Sequence, residues 1–381
     1  MKLSQGCPTG ENFVGEVLRV FVEGHAEEPG EEESEFTESF IVKRIPDPGS
    51  FGHTIFNLRR IFENEIAGYE AVVGNFEDFA NRKKSPRNWK GTCFAKYYGS
   101  AYDIIALEDL KPKGYQMGNR VQGFNVQECL LVLEKLSYFH AVSVSMKSVD
   151  GGRFGDVAAR LREPFFTEET ELGKFWENAV KLAVRSLEDR KDHRLEAPLA
   201  VMKSYLGSVF SGMSEVIAPR EPFDVICHGD LWINNILIRY VDGVAVDARM
   251  VDLQSMKHGS CVLDLMYFLF TSLEVGLLRP NIKELINFYY IYLAFHVRSL
   301  GSTMPFSFPD LMAEMRRRIR YGICVASLMY TVVTKNGSET SEEATEIPSE
   351  DVFEMEYRSL NDLYHRRIYN LIMALTDLQL I

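Results

Sequence analysis

The sequence predicts an α+β protein in two lobes: a small N-terminal antiparallel sheet with one helix, and a larger, mainly helical C-terminal part. β-branched and aromatic residues cluster in segments 13–22 and 40–45, as they do in strands. After residue 125, apolar residues instead recur mostly at helical spacing. With 381 residues, the chain is also long enough for two lobes, each with a buried core.

The composition is that of a globular protein, with 46% hydrophobic and 25% charged residues. A formal net charge of -12 argues against a nucleic-acid partner, because phosphate backbones attract clustered Lys and Arg. Two acidic segments, residues 27–38 and 335–351, are predicted to be exposed loops.

The cellular location is indicated by cysteine usage and by the apolar segments. The six cysteines are far apart and include no Cys-x-x-Cys pair, so neither a zinc site nor a disulfide framework is indicated. No signal-peptide pattern follows Met1, and acidic residues interrupt the longest apolar stretch, residues 262–278. We therefore expect no membrane span and a reducing, cytoplasmic location.

Lys43 lies in an apolar strand, where a buried ammonium group is costly without an anionic partner. The helix predicted over residues 55–73 offers Glu65 as that partner. An ion pair of this kind holds the phosphates of a nucleotide in kinases. The alternative is that Lys43 is exposed on its strand beside Arg44.

Two loops are candidate nucleotide contacts. Gly10 and Gly15 flank a turn before the first strand and would let the backbone fold over phosphates, although any strand entry can carry two glycines. A second apolar strand runs into Glu108 and is followed by a Pro/Gly turn, where two lobes can join and adenine can contact the backbone. The predicted division is an N-terminal lobe at residues 1–107, a hinge at 108–113 and a C-terminal lobe at 114–381.

The most informative motif is His-x-Asp-x-x-x-x-Asn, formed by His228, Asp230 and Asn235 between apolar strands. Phosphoryl transfer needs a carboxylate that orients or deprotonates the attacking hydroxyl, and an oxygen ligand nearby that holds magnesium. Asp230 and Asn235 have these residue types. The Asp-Gly turn at 242–243 predicts a hairpin that returns Asp252 beside Asn235 as a second metal-binding carboxylate. Taken alone, His-Gly-Asp also fits a helix cap or an ordinary turn.

Four further polar residues lie on the predicted helices or at their ends. Asn125 and Glu128 have the spacing of a capping box and predict a helix start. His140, on that helix, is interpreted as a packed or hydrogen-bonded core residue without chemistry. Asp264 opens an apolar helix and is interpreted as a brace that accepts hydrogen bonds from its own helix terminus or from the loop around His228.

In order and spacing, these motifs resemble the choline-kinase-like group of ecdysteroid kinase-related proteins, relatives of the aminoglycoside phosphotransferases with a protein-kinase-like fold. The resemblance covers nearly the whole chain. It includes Phe-Ile-Val-Lys at 40–43, Leu-Glu-Asp-Leu at 107–110, His-Gly-Asp-Leu-Trp-Ile-Asn-Asn at 228–235 and Val-Asp-Leu-Gln at 251–254. Two motifs depart from the family pattern. The chain has Gly-Glu-Asn-Phe at 10–13 in place of Gly-Asp-Asn-Tyr, and Leu253 where Val-Asp-Phe-Gln is usual.

The resemblance also implies a role for each motif residue. In the catalytic loop, Asp230 would be the base or hydroxyl-orienting group, and His228 would support it. Asn235 and Asp252 would bind magnesium, and Lys43 and Glu65 would position the phosphates of ATP. The loop with Gly10 and Asn12 would cover those phosphates. Glu108 and Leu110 would form the hinge near adenine.

Together these inferences predict an ATP- and magnesium-dependent small-molecule kinase. Its acceptor would be the hydroxyl of a lipophilic alcohol, an ecdysteroid by family resemblance, with choline-like or xenobiotic alcohols as alternatives. A pseudokinase that binds nucleotide without turnover is a second hypothesis. A structural or interaction protein without nucleotide affinity is a third.

Overall fold

A computed structural model of the protein describes residues 2–6, 15–26, 34–46, 57–83, 93–166, 171–335 and 350–381. Gly10 and Asn12, assigned above to a phosphate-covering loop, lie outside the described residues. So do residues 27–33 and 336–349, the main parts of the two acidic segments that are predicted as exposed loops.

The N-terminal part is a five-stranded antiparallel sheet in the order β1-β2-β3-β5-β4. The strands are β1 (Lys2–Gln5), β2 (Glu16–Ala26), β3 (Ser34–Arg44), β4 (Tyr97–Ala101) and β5 (Ile104–Glu108). The pairing of β2 with β3 continues as far as Ala26 and Ser34, so residues 34–38, which were predicted to be part of an exposed loop, belong to a strand. Lys43 lies on the central strand, where it pairs with Val17 on one side and Ile105 on the other.

The predicted N-terminal helix begins at Leu58 rather than at residue 55, after an N-cap at Asn57. It continues beyond residue 73 in three consecutive segments: α1 (Leu58–Ala67), a π-helical segment (Gly68–Val73) and α2 (Gly74–Arg82). Apolar side chains of this helical run, among them Ile61, Phe62 and Phe76, are buried. This packing places Glu65 beneath the central strand.

After β5 the chain makes a short 3-10 turn (Lys111–Lys113) and the strand β6 (Tyr115–Met117) and then becomes helical. The helices of this section are α3 (Val126–Val149), α4 (Gly151–Ala159), α5 (Glu171–Glu188), α6 (Glu196–Tyr205) and α7 (Met213–Ile217). The capping box of Asn125 and Glu128 at the start of α3 is confirmed. Among the described helices, α3 alone is long and apolar enough to cross a membrane. However, 78% of its most apolar 18-residue stretch is buried inside the fold, as in the core helix of a globular protein.

Two small sheets follow and carry the motif loops. β7 (Asp224–Cys227) pairs with β10 (Lys257–Ser260), and β8 (Ile236–Val241) lies between β6 and β9 (Val244–Met250). The predicted hairpin at Asp242 and Gly243 is confirmed. Both turn residues have positive φ, which is the backbone that an Asp-Gly pair favours.

The described residues from Cys261 onward are mainly helical and enclose the main core. Its helices are α8 (Cys261–Ser272), α9 (Leu278–Ser299), α10 (Phe308–Arg317), α11 (Ile319–Val333), α12 (Glu350–Ser359) and α13 (Asp362–Asp377). Every residue of α8 is buried. The predicted class, an α+β fold with an N-terminal antiparallel sheet and a mainly helical C-terminal part, is confirmed. The division into lobes at residues 108–113 stays a prediction.

Candidate active site

Lys43 makes the contacts that join the N-terminal sheet to the rest of the site. Its Nζ lies 2.7 Å from Oε2 of Glu65 on α1 and 2.6 Å from Oδ1 of Asp252. Its side chain is buried, so the alternative of an exposed strand lysine beside Arg44 is wrong. The three residues come from three separate segments and form one buried ion-pair cluster.

Asn64 fixes α1 against the loop that follows Asp252. Its Nδ2 donates hydrogen bonds of 2.9 Å to the carbonyl oxygens of Gln254 and Met256, and its Oδ1 accepts one from the Arg162 backbone. An asparagine buried in a helix needs such partners. These bonds hold the helix that carries Glu65 at a fixed distance from the loop that carries Asp252.

The predicted catalytic loop, which contains His228 and Asp230, is held by Asp264 at the start of α8. Its two carboxylate oxygens accept hydrogen bonds from the backbone N–H groups of His228 and Gly229, at 2.6 and 2.8 Å. His140 Nε2 lies 3.1 Å from Asp264 Oδ2, and Tyr289 contacts the other ring nitrogen of His140. Of the two expectations for Asp264, the contact with the loop around His228 is therefore the one that occurs.

His228 supports the loop and does not face a cavity. It is fully buried, its Nε2 lies 3.0 Å from the carbonyl oxygen of Val251, and its Nδ1 accepts from the backbone N–H of Asp230. Gly229 has a φ of +83° and lies so close to the next loop that an added Cβ would be 2.0 Å from the Ser255 carbonyl oxygen. A glycine is therefore required at this position.

Asp230 is held on both sides by hydrogen-bond donors. Asn235 Nδ2 lies 3.0 Å from its Oδ2, and the hydroxyl of Tyr267 on α8 donates to its Oδ1 at 2.7 Å. The hairpin brings Asp252 beside Asn235, because the backbone N–H of Val251 bonds the Asn235 carbonyl oxygen at 2.9 Å. Asp252 therefore lies beside Asn235, as the length of the hairpin predicts.

The site has more negative than positive charge. One ammonium group, Lys43, faces the carboxyl groups of Glu65 and Asp252, and Asp230 lies close to Asp252. Burial and the neighbouring charge of Asp252 raise the pKa of Asp230. Burial alone would lower the pKa of Lys43, but Asp252 and Glu65 outweigh it and hold the pKa above its ordinary value. An oxygen-rich site with surplus negative charge suits a magnesium ion.

A cavity of about 570 Å³ opens beside these residues. Lys43, Glu65, Asn235 and Asp252 line it, together with apolar side chains from the N-terminal sheet and from β8. Glu108 and Leu110 also line it, at the end of β5 and just beyond, so the predicted hinge residues do meet this cavity. The Glu108 carboxylate is itself engaged by Lys113 and by the Lys96 backbone N–H.

A second cavity, of about 210 Å³, lies beside Asp230, which lines it. Asn235 and Asp252 line this cavity as well as the first, and most of the remaining wall is aromatic or aliphatic. The wall includes Phe165, Phe166, Trp176, Trp232, Tyr267 and Tyr321. After the acceptor and the nucleotide that the sequence predicts, we call this the acceptor cavity and the larger one the nucleotide cavity. Asn235 and Asp252 lie between the two.

Three residues of the site, Asn64, Lys257 and Tyr267, belong to none of the motifs that indicate the site in the sequence. Tyr267 had a detectable signal, because it lies three residues after Asp264 and therefore on the same face of α8. If Asp264 contacts the catalytic loop, Tyr267 must face that loop too.

The fold and the arrangement of these residues agree with the small-molecule kinase that the sequence predicts. The sequence model of the ecdysteroid kinase-like family matches residues 9–302, which is most of the chain, so the protein belongs to the ecdysteroid kinase-like family. Curated protein sequences gave no match.

Comparison with solved structures gives matches at low sequence identity. An ethanolamine kinase from Plasmodium vivax is 12% identical, with a TM-score of 0.42, over 100% of this chain and 84% of that one. A choline/ethanolamine kinase family protein from Mesorhizobium loti is 12% identical, with a TM-score of 0.39, over 98% and 93%. An aminoglycoside phosphotransferase from Streptomyces rimosus is 16% identical, with a TM-score of 0.29, over 81% and 92%.

The brace at Asp264 predicts a stability change. Replacing Asp264 by Asn leaves one oxygen for two backbone donors, and we expect the free energy of unfolding to fall by about 3 kcal/mol. Urea denaturation would measure this fall in the free energy of unfolding. The matched control is Asp156→Asn, at an exposed position on α4, whose free energy of unfolding should stay within about 0.5 kcal/mol of the parent value.

The same brace predicts a pH dependence. Burial would raise the pKa of Asp264, but the hydrogen bond from His140 and the charges around it hold the pKa below its ordinary value. A depressed carboxyl pKa stabilises the fold at neutral pH, and that stabilisation is lost as pH falls below about 4. The difference in free energy of unfolding between the parent protein and Asp264→Asn should therefore become smaller at acidic pH. Equal stability of the Asp264 and Asp156 variants at pH 7 would contradict the brace.

Proposed function

We propose that the protein transfers the γ-phosphoryl group of ATP to a hydroxyl of a neutral, lipophilic alcohol, an ecdysteroid or an alcohol of similar character, in a magnesium-dependent reaction. The observation that carries this proposal is the position of Asp230, which lines the acceptor cavity beside Asn235 and Asp252, the two residues common to both cavities. Five described cysteines are free and buried, which is compatible with a cytoplasmic location.

On the nucleotide side, the role of Lys43 is to neutralise phosphate charge. Its ammonium group is fixed by Glu65 and Asp252 before ATP arrives, so little reorganisation accompanies binding. Asn235 and Asp252 are the residues that would hold magnesium, and magnesium, when bound, supplies positive charge that offsets the charge on the transferring phosphate. Apolar side chains such as Val17 and Leu237 also line the nucleotide cavity and would suit the adenine ring.

On the acceptor side, Asp230 orients the attacking hydroxyl and accepts its proton. The hydrogen bonds from Asn235 and Tyr267 hold the carboxylate in one orientation, which is the main contribution a positioned group makes to phosphoryl transfer. The proton passes from the acceptor oxygen to the Asp230 carboxylate as the new O–P bond forms and the bond to ADP breaks.

The cavity lining supports a neutral acceptor. Lys257 is the cationic side chain among the described lining residues, and it is paired with Glu163 at 2.5 Å. That ion pair offsets the charge of Lys257, and the aromatic wall by itself would also suit a quaternary ammonium group, so choline-like alcohols are the alternative acceptors. The apolar wall favours the uncharged alcohol.

Removal of the Asp252 carboxylate tests the nucleotide site. We expect ATP with magnesium to raise the melting temperature of the parent protein, because a ligand that binds only the folded state stabilises it. Asp252→Asn should abolish the part of this rise that depends on magnesium. Asp242→Asn is the matched control, since Asn-Gly suits the hairpin turn equally well. A full magnesium-dependent rise in Asp252→Asn would refute the assignment of the metal ligand.

Replacement of Asp230 by Asn tests the chemistry separately from binding. The amide cannot accept the proton of the acceptor, and we expect the rate of phosphate transfer to fall at least about a hundredfold. The ATP-dependent thermal shift should be retained. The parent rate would be measured on steroid, terpenoid, choline and xenobiotic alcohols. A parent protein that binds ATP but consumes none with any of them favours a pseudokinase.

The contact between Tyr267 and Asp230 predicts a shifted pH profile. A hydrogen bond to the ionised carboxylate lowers the pKa of Asp230, so Tyr267→Phe should raise that pKa and move the acid limb of kcat/KM to higher pH. Tyr321→Phe, in the same cavity, is the control and should leave the limb in place. If Tyr267→Phe shows the same acid limb of kcat/KM and the same rate as the parent protein, the contact between Tyr267 and Asp230 plays no part in catalysis.

A further inference from the structure

An apolar stripe runs along the outward-facing side of α9. Ile291 and Phe295 are 53% and 44% exposed. Phe288 and Tyr292 lie beside them and are half-buried. The ring centroid of Tyr292 is 4.2 Å from that of Phe288 and 6.5 Å from that of Phe295, so the four side chains form one continuous surface. Single exposed apolar residues are ordinary, whereas a continuous exposed patch marks an interaction surface.

The opposite side of α9 is fixed to the core. Leu285, Tyr289 and Leu293 are fully or almost fully buried. The hydroxyl of Tyr289 also lies 2.7 Å from Nδ1 of His140 on α3. The apolar stripe is therefore carried by an ordered helix in the middle of its length, and not by a frayed helix end, where exposed apolar residues would carry little information.

One charged residue lies at each end of the stripe. Glu284 is seven residues before Ile291, Arg298 is seven residues after it, and both are exposed. Seven residues make close to two full turns at about 100° per residue, so both charges lie on the same side of α9 as Ile291. Neither side chain has a hydrogen-bond or ion-pair partner within the part of the chain that the structure describes. The exposed Lys283 lies about a quarter turn away from this line.

This arrangement is complementary to itself in an antiparallel orientation. If two copies of α9 pack with a twofold axis at Ile291, position 284 of one copy lies opposite position 298 of the other, because the two helices run in opposite directions. Glu284 of each copy then meets Arg298 of the other copy, and this contact occurs twice. A parallel arrangement in register would instead bring like charges together, which is unfavourable.

We propose that this side of α9 is a dimerisation surface and that its partner is a second copy of the same chain. Phe288, Ile291 and Phe295 pack between two antiparallel helices, with an ion pair at each end. The stretch from 284 to 298 is about 21 Å long at about 1.5 Å per residue, so the interface is small and the dimer forms at micromolar concentration. A membrane is a weaker match, because helices that lie on membranes carry several Lys and Arg on their polar face, and the chain has a net charge of -12.

Sedimentation equilibrium of the full chain over a concentration series tests the proposal. We expect the parent protein to dimerise with a dissociation constant of about 1 to 100 μM. Ile291→Glu places two unpaired carboxylates at the twofold axis and should raise that constant at least about a hundredfold. Ile104→Glu is the matched control, since Ile104 is 40% exposed on β5 of the N-terminal sheet, and it should dimerise as the parent does.

Charge reversal tests the orientation of the two copies. Glu284→Arg and Arg298→Glu each place like charges opposite each other at both ends of the stripe, and each should raise the dissociation constant at least about fivefold. The double variant restores opposite charges and should dimerise as the parent does. Lys283→Glu makes the same change of charge away from the stripe and is the matched control. Because all these positions are exposed, the melting temperatures should stay close to that of the parent.

Three results would overturn the proposal. The first is a parent protein that stays monomeric up to about 500 μM, including one that binds vesicles of neutral phosphatidylcholine instead. The second is a dimer that Ile291→Glu leaves intact or that Ile104→Glu abolishes, since the contact would then lie elsewhere. The third is a double charge variant that dimerises no better than the two single variants, since Glu284 and Arg298 would then not face each other.

Discussion

The contact of Lys43 with two carboxylates is the interaction on which the arrangement of the site depends. Lys43 lies on the central strand of the N-terminal sheet, Glu65 on the helix beneath it, and Asp252 far along the chain after the β8–β9 hairpin. A buried lysine without partners would lose its proton or unfold its surroundings. With both carboxylates in place, it fixes the sheet, the helix and the hairpin to one another and so sets the width of the nucleotide cavity.

A second constraint acts on the loop that borders the acceptor cavity. Asp264 binds consecutive backbone N–H groups of the catalytic loop, and the absence of a side chain at Gly229 lets that loop pack on the Ser255 carbonyl. The buried helix α8 therefore controls the position of Asp230 twice, through the Asp264 carboxylate and through the Tyr267 hydroxyl. Rigid elements of this kind hold a reacting group to the tolerance that catalysis needs.

The sequence predicted well those features that depend on local residues. The Asp-Gly turn specifies its hairpin, and the hairpin length brings Asp252 to Asn235. The helix start at Asn125 follows from its capping box. The partnership of Lys43 with Glu65 was also predictable, because a lysine in an apolar strand needs an anion and the next helix offers one.

Other features depend on contacts between distant segments and could not be predicted in this way. Nothing near Asn64 shows that its amide will bind the loop after Asp252, and nothing in the aromatic-rich sequence of α8 shows that one tyrosine hydroxyl meets Asp230. The strand β3 extends further than its β-branched stretch, because pairing with β2 overrides the weak strand preference of its acidic residues. The acceptor cavity likewise combines segments that no single motif connects.

The division of the site into two cavities has a consequence for how members of such a family can differ. The residues assigned to phosphoryl transfer lie within the segment that the family sequence model matches, residues 9–302. A large part of the acceptor wall does not, because Tyr321, Val325 and Met329 belong to α11. Gly322 allows α11 to pack closely on Phe270 and Met266 of α8, the helix that carries Asp264 and Tyr267. Substitutions on α11 can therefore reshape the acceptor cavity directly against the helix that positions Asp230, without altering any residue that holds the nucleotide.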